Sequence, residues 1–281
     1  MLFFLFSTFQ ACSSDARYCE GSPAIECYKD GASFLHFKLY KDAEEKFKGA
    51  CYLEHMPACN QLALMYLNVD EVKKDYSIIS SLLQKSCEKS DADGCYNLGV
   101  MYDQGLYFQK DRTKALKLYT QSCEMSSVSG CYNAAVLCEK DAQCSSDRDF
   151  LEKSYKVSCD GDNHYACYNL AVLYKKEDSA KINSVLDGLD KGCINNYTKA
   201  CHFLASLHVN NPHVQQDFGK AFRLYNKACN ANLWESCSQV GLMYGSGHGV
   251  PFDEVKAEKY LTMSCSNGVE MACKAKRLFD K

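Results

Sequence analysis

The sequence predicts an all-α fold: a solenoid of about seven helix pairs, each stapled by a disulfide. Three observations lead there. The cysteines come in pairs of one spacing. Cys19 and Cys27, Cys51 and Cys59, Cys87 and Cys95, Cys123 and Cys131, Cys159 and Cys167, Cys193 and Cys201, Cys229 and Cys237, and Cys265 and Cys273 are each separated by seven residues. Successive pairs start 36 residues apart, apart from one interval of 32 and one of 34. A fixed period between about 20 and 50 residues marks a stack of supersecondary units. Between the pairs, apolar residues fall at helical spacing, as at Leu98, Met101 and Tyr102. Within that same repeat a break such as Asp103-Gln104-Gly105 divides the chain into two helices.

Taken in order, residues 1–11 read as a signal-like segment. Leu2 to Phe6 is a short apolar run, and Ala11-Cys12 resembles the cleavage end of a bacterial lipoprotein signal, so Cys12 is the candidate lipidation site. The run is too short to span a bilayer. Residues 12–22 form an N-terminal cap carrying Cys19, and 23–268 form the repeat solenoid. Residues 269–281 form a C-terminal capping helix, where Lys274, Lys276, Arg277, Asp280 and Lys281 supply the polar end face a terminal repeat needs.

The stretch from Gly94 to Cys123 shows one unit. Helix A runs from Cys95 to Tyr102, and Gly105 suits a left-handed cap after it. Asp111 is placed to cap helix B, whose packing face is Ala115, Leu116, Leu118 and Tyr119. Helix B ends near Cys123 and the next helix A begins near Cys131, so each Cys-x7-Cys spans a helix–helix turn. Two helix ends joined so can bring Cα atoms within the roughly 5.5 Å a disulfide needs. Closing nine residues stabilises by about 2.6 kcal/mol in the chain-entropy model. Cys138 and Cys144 remain and pair with each other, which leaves Cys12 alone.

Aligning the units gives each position a role. Four residues after the second cysteine come Ala63, Gly99, Ala135, Ala171, Ala205 and Gly241, small enough for close helix approach. Seven residues after it come Tyr66, Tyr102, Tyr174 and Tyr244, read as packing residues, with Cys138 and His208 as departures. Two residues after it come Gln61, Asn97, Asn133, Asn169 and Gln239, while the sixth unit has Phe203. These amides either bond the backbone of their own helix or form a polar ladder lining a groove, which makes them the candidate binding residues. The segment Ala180–Cys193 is the least regular, with Gly188 inside its helix B.

Composition limits function. Against 32 basic residues stand 35 acidic ones with no basic stripe, which excludes nucleic acid as a partner. Nineteen cysteines without any C-x-x-C, and without histidines spaced beside them, point away from zinc and toward disulfides in an oxidising compartment. No cofactor is implied.

The repeat CYNLGVMYDQG…KDRTKALKLYTQSCE resembles a Sel-one-like repeat, the TPR-related αα unit, as do GCYNAAVLC, ACYNLAVLY and SCSQVGLMYGSGHGVPFDEVKAEKYLTMSC. A staple in every repeat is the mark of the Helicobacter cysteine-rich protein family, and the resemblance covers about residues 19–279. It implies a right-handed αα superhelix, export to the periplasm or beyond, and a penicillin-binding or weak β-lactamase activity. The residues for such an activity are sparse. Ser86-Cys87-Glu88-Lys89 matches S-x-x-K, making Ser86 and Lys89 the catalytic candidates, but no S-D-N or K-T-G accompanies it. The seven histidines are scattered and suggest no metal site. The sequence therefore predicts an exported scaffold that binds a protein, a peptide or a cell-wall fragment. The alternative is a β-lactam hydrolase, with peptidoglycan fragments or β-lactams as ligands and a membrane reached only through Cys12.

Overall fold

A computed structural model describes residues 19, 21–141, 144–175 and 179–279. Among the described residues there are sixteen helices and no strand. The signal-like segment, Cys12, Asp280 and Lys281 lie outside them. The chain divides into two compact units, one up to Ser154 and one from Tyr155. The first contains α1 (Ala24–His36), α2 (Tyr40–Tyr52), α3 (Met56–Asn68), α4 (Tyr76–Glu88), α5 (Ala92–Gln104), α6 (Arg112–Glu124), α7 (Val128–Cys138) and the start of α8 (Arg148–Asp160). The second contains the rest of α8, α9 (His164–Tyr174), α10 (Ser179–Asn183), α11 (Leu186–Ile194), α12 (Thr198–Asn210), α13 (Phe218–Asn230), α14 (Trp234–Ser246), α15 (Glu254–Ser266) and α16 (Glu270–Phe279).

Local chemistry explains the helix ends. Gly105 caps α5 at φ 75°, and the Asp111 carboxylate accepts from Lys114 N–H at 2.9 Å at the start of α6. Asp217 and Asp253 cap α13 and α15 in the same way. Helix α5 nevertheless runs through Asp103 and Gln104, which the sequence reading gave to the break, and starts at Ala92 rather than Cys95. The reason lies in the turn within each staple. Ser90 N–H bonds the Cys87 carbonyl at 3.0 Å, and Asp91 N–H bonds the Ser86 carbonyl at 3.1 Å, the paired pattern of a Schellman motif. The motif needs a left-handed residue, and Glu54, Ser90, Ser126, Asp162, Asn196 and Asn232 hold it at φ 58–66°. The next residue then caps the following helix: Asp91 accepts from Gly94 N–H and Ser127 from Gly130 N–H, each at 3.2 Å. Helix A therefore opens three residues before the second cysteine.

That reversal sets the staples. Cys19 is bridged to Cys27, Cys51 to Cys59, Cys87 to Cys95 and Cys123 to Cys131. Cys159 is bridged to Cys167, Cys193 to Cys201, Cys229 to Cys237 and Cys265 to Cys273. Cys138 is bridged to Cys144, and the Cα separations run from 4.3 to 5.4 Å across all of them. Every pairing expected from the spacing is therefore present. Nine bridges among the described residues indicate an oxidising environment. No helix among the described residues is long and apolar enough to cross a membrane.

Packing follows the aligned positions. In the first unit Phe47, Ile79 and Leu83 are fully buried, and in the second Leu189, Leu204 and Leu261. The small position works by contact: a Cβ on Gly99 would come within 2.8 Å of the Tyr119 ring. The irregular segment resolves into α10 and α11, and Gly188 has a specific reason to be there. A Cβ on it would run into Cys167 Sγ, so the Cys159–Cys167 bridge and α11 share space that only glycine leaves open.

Candidate functional site

The second cysteine of a staple marks the buried side of helix A. Cys27, Cys59, Cys95 and Cys237 expose no surface, while Cys273, on the last helix, is half-buried. At about 100° per residue, the position two residues later is about 200° round helix A, turned away from the staple. There Gln61, Asn97, Asn133, Asn169 and Gln239 are all half-buried. Their partners differ. Asn97 Nδ2 donates to Asn60 Oδ1 at 2.8 Å, joining α5 to α3 through an asparagine only 6% exposed. Asn133 Nδ2 donates to the Ser129 carbonyl at 2.9 Å, and the Asn133 side chain also bonds Tyr96. A carboxamide offers two donors and two acceptor positions, so these contacts leave capacity for a ligand. At the sixth unit the register is closed by Phe203, which is buried.

Two of these amides line recesses. In the first unit a recess of about 140 Å³ is formed by Asp103, Lys110, Arg112, Tyr119, Asn133, Val136, Leu137 and Lys140. In the second unit Val209, Phe218, Tyr225, Gln239, Leu242, Met243, Ser246 and His248 form one of about 240 Å³. The two occupy the same place in the repeat. Asp103 and Val209, Arg112 and Phe218, Tyr119 and Tyr225, Asn133 and Gln239, and Lys140 and Ser246 are each 106 positions apart, the separation of Cys123 from Cys229. Each recess thus has a tyrosine, a ladder amide and variable walls. Burial pushes the Tyr225 phenol up to about 12 and also raises that of Tyr119, with the Asp103 charge adding to the effect there. Both tyrosines stay protonated near neutrality. Sequence reasoning picked out the amides and missed Lys110, Arg112 and Lys140. The registers that hold Lys110 and Arg112 change residue type along the chain, so aligning the repeats does not by itself single these cations out.

The catalytic candidates sit elsewhere and are not brought together. Ser86 has no exposed surface; its Oγ lies 3.3 Å from the Met56 carbonyl and bonds the Asp91 carboxylate. Ser122, one repeat on, makes the matching bond to the Ala92 carbonyl at 2.7 Å, which marks the position as an inter-helix tie. Lys89 points outward and pairs with Glu54 at 3.2 Å, both side chains more than half exposed. Among the described residues, no three His, Cys, Asp or Glu side chains gather in a way that could hold a metal.

A family model, the Sel1 repeat, matches residues 57–78, 92–127, 164–179, 188–233 and 234–269. These make up more than half of the 281 residues. The chain belongs to the Sel1 repeat family. Among solved structures, this Sel1 repeat protein is similar to a protective antigen of uropathogenic Escherichia coli with an SLR fold, at a TM-score of 0.71 and 21% identity over 96% of this chain. It spans 59% of that antigen's length. It is also similar to a Sel1 repeat protein from Oxalobacter formigenes, at a TM-score of 0.68 and 17% identity, covering 85% of this chain and 99% of that one. At these identities the likeness shows the fold. A comparison with curated proteins finds no match.

Proposed function

We propose that this Sel1 repeat protein is an interaction scaffold that holds extended segments of a partner protein along its helix A faces. The observation that carries the reading is the repeated amide: five Asn or Gln side chains at one register, each half-buried, two of them at recesses that recur at the same place in the repeat. Carboxamides donate and accept along a peptide backbone without demanding one sequence, while adjoining recesses receive side chains. The cysteine pattern supports export, to the periplasm or outside the cell, and Cys12 would tether the protein if lipidated. A kinship with the cysteine-rich Helicobacter proteins is supported by the staple in every repeat. Its lactam chemistry gains no support at Ser86, which is buried within an inter-helix tie.

The test is binding of an unstructured peptide library to disulfide-complete protein, read by heteronuclear NMR. Shifts should concentrate on the side-chain amides of Asn133, Asn169 and Gln239, and changing these three to Ala should weaken binding at least ~10-fold while leaving helical content intact. Shifts confined to other surfaces, or affinity unchanged in the triple variant, would remove the ladder from the reading.

A further inference from the structure

The two register-equivalent recesses keep a tyrosine and an amide but differ in their walls, and the walls of the first carry charge. Where the second unit has Phe218 and Ser246, the first has Arg112 and Lys140, and Lys110 adds a third cation. All three are exposed, and none forms a salt bridge with another described residue. Against them stands one carboxylate, Asp103. Elsewhere in the chain the Arg112 register holds Tyr40, Tyr76, Arg148, Ile182, Phe218 and Glu254, so this wall changes from repeat to repeat while the amide register keeps to Asn or Gln at five of the seven corresponding positions, Lys29 and Phe203 being the others. Constant amides suit the constant part of a peptide, its backbone; a variable wall suits the variable part.

We propose that the recess between α5, α6 and α7 is a carboxylate-accepting subsite, which rests on the peptide-scaffold reading above. The Arg112 guanidinium is a planar fork matched to a carboxylate, Lys110 and Lys140 flank it as point charges, and the Asn133 carboxamide hydrogen-bonds the main chain beside it. The ligand chemistry is that of an Asp or Glu side chain or of a chain's C-terminal carboxylate. A recess of about 140 Å³ admits one such group and not a folded surface.

The experiment uses labelled, fully oxidised protein and four probes: N-acetyl-Ala-Glu-Ala-amide, its Gln analogue, N-acetyl-Ala-Ala-Ala with a free carboxylate, and the amide of that peptide. The readouts are the side-chain amide signals of Asn133 and Gln239. At low ionic strength at least one acidic probe should bind about tenfold more tightly at Asn133 than its neutral counterpart, lose most of that advantage in about 0.5 M salt, and show no such preference at Gln239. Which acidic probe does so separates an acidic side chain from a chain end. The double variant Arg112→Gln, Lys140→Gln should bring acidic and neutral probes to the same affinity with an unchanged melting temperature, since both side chains are exposed. Equal binding of acidic and neutral probes, or a preference that survives the double variant, overturns the subsite alone. Silence of both Asn133 and Gln239 toward all four probes overturns the scaffold reading with it.

Discussion

His202 follows Cys201 directly, with Nδ1 2.8 Å from Ser236 Oγ and its ring edge-on to Tyr225 at 5.2 Å. Burial lowers its pKa; Glu235 pulls it back up and Lys175 pushes it further down. Desolvation shifts His55 the same way, against the pull of Asp91. A free histidine titrates near pH 6.5, so below that value the unfolded chain takes up protons that the folded chain resists. Stability is fully present above about pH 6.5 and falls as pH drops from there toward the folded value. The melting temperature should therefore fall between about pH 7.5 and pH 5, and His202→Gln should reduce the drop. Thermal melts at both pH values check this, and an undiminished drop would place the proton uptake elsewhere. Ser86→Ala removes a buried hydroxyl from a helix tie and should cost about 1 kcal/mol. With a chromogenic β-lactam, the variant should match the parent; lost turnover would place a nucleophile where the packing leaves no room for a substrate.

Each element is set by short-range chemistry plus one demand from its neighbour. The left-handed residue of the stapled turns is non-glycine at Glu54, Ser90, Ser126, Asp162, Asn196 and Asn232, while the last turn has Gly268 at that position. A side chain in this conformation costs about 1–2 kcal/mol, and glycine's extra freedom in the unfolded chain gives back about 0.5–1 of that relief. Ser126→Gly should accordingly raise stability by about 0.5–1 kcal/mol, measurable as a higher urea midpoint at constant slope. A lower midpoint would show that the Ser126 side chain contributes something its conformation conceals. Gly99→Ala acts in the other direction. The added methyl meets the Tyr119 ring at 2.8 Å, and Tyr119 is buried and has little room to yield. The expected loss is about 1–3 kcal/mol, read by the same denaturation, and the Tyr119 side of the charged recess should show it in shifted Asn133 signals.

For the whole molecule, stability is distributed. Helix pairs that contact mainly their neighbours have no single core, and local bridges of about 2.6 kcal/mol each in the chain-entropy model carry a large share. Non-reducing peptide mapping should recover Cys138–Cys144 and the eight pairs spaced eight apart, from Cys19–Cys27 to Cys265–Cys273. Strong reductant should lower the melting temperature sharply and broaden the transition. Helicity that melts unchanged after full reduction would mean that side-chain packing suffices and the bridges are incidental.

What the sequence determined by itself was the repeat, the pairing of the cysteines, the helical class and the local ends such as Gly105 and Asp111. These depend on spacing and on residues close in the chain, which are visible in one dimension. The tertiary structure decided the rest. Asn97 meets Asn60 of the preceding repeat; Ser86 is a buried tie rather than an open hydroxyl; Gly188 yields to a bridge from another helix; and Lys110, Arg112 and Lys140 meet around Asn133. Each depends on what a neighbouring repeat places opposite, across contacts that join residues some 20 to 40 positions apart. The ladder of amides was legible because it repeats; the charged recess was not, because its distinction is that it does not.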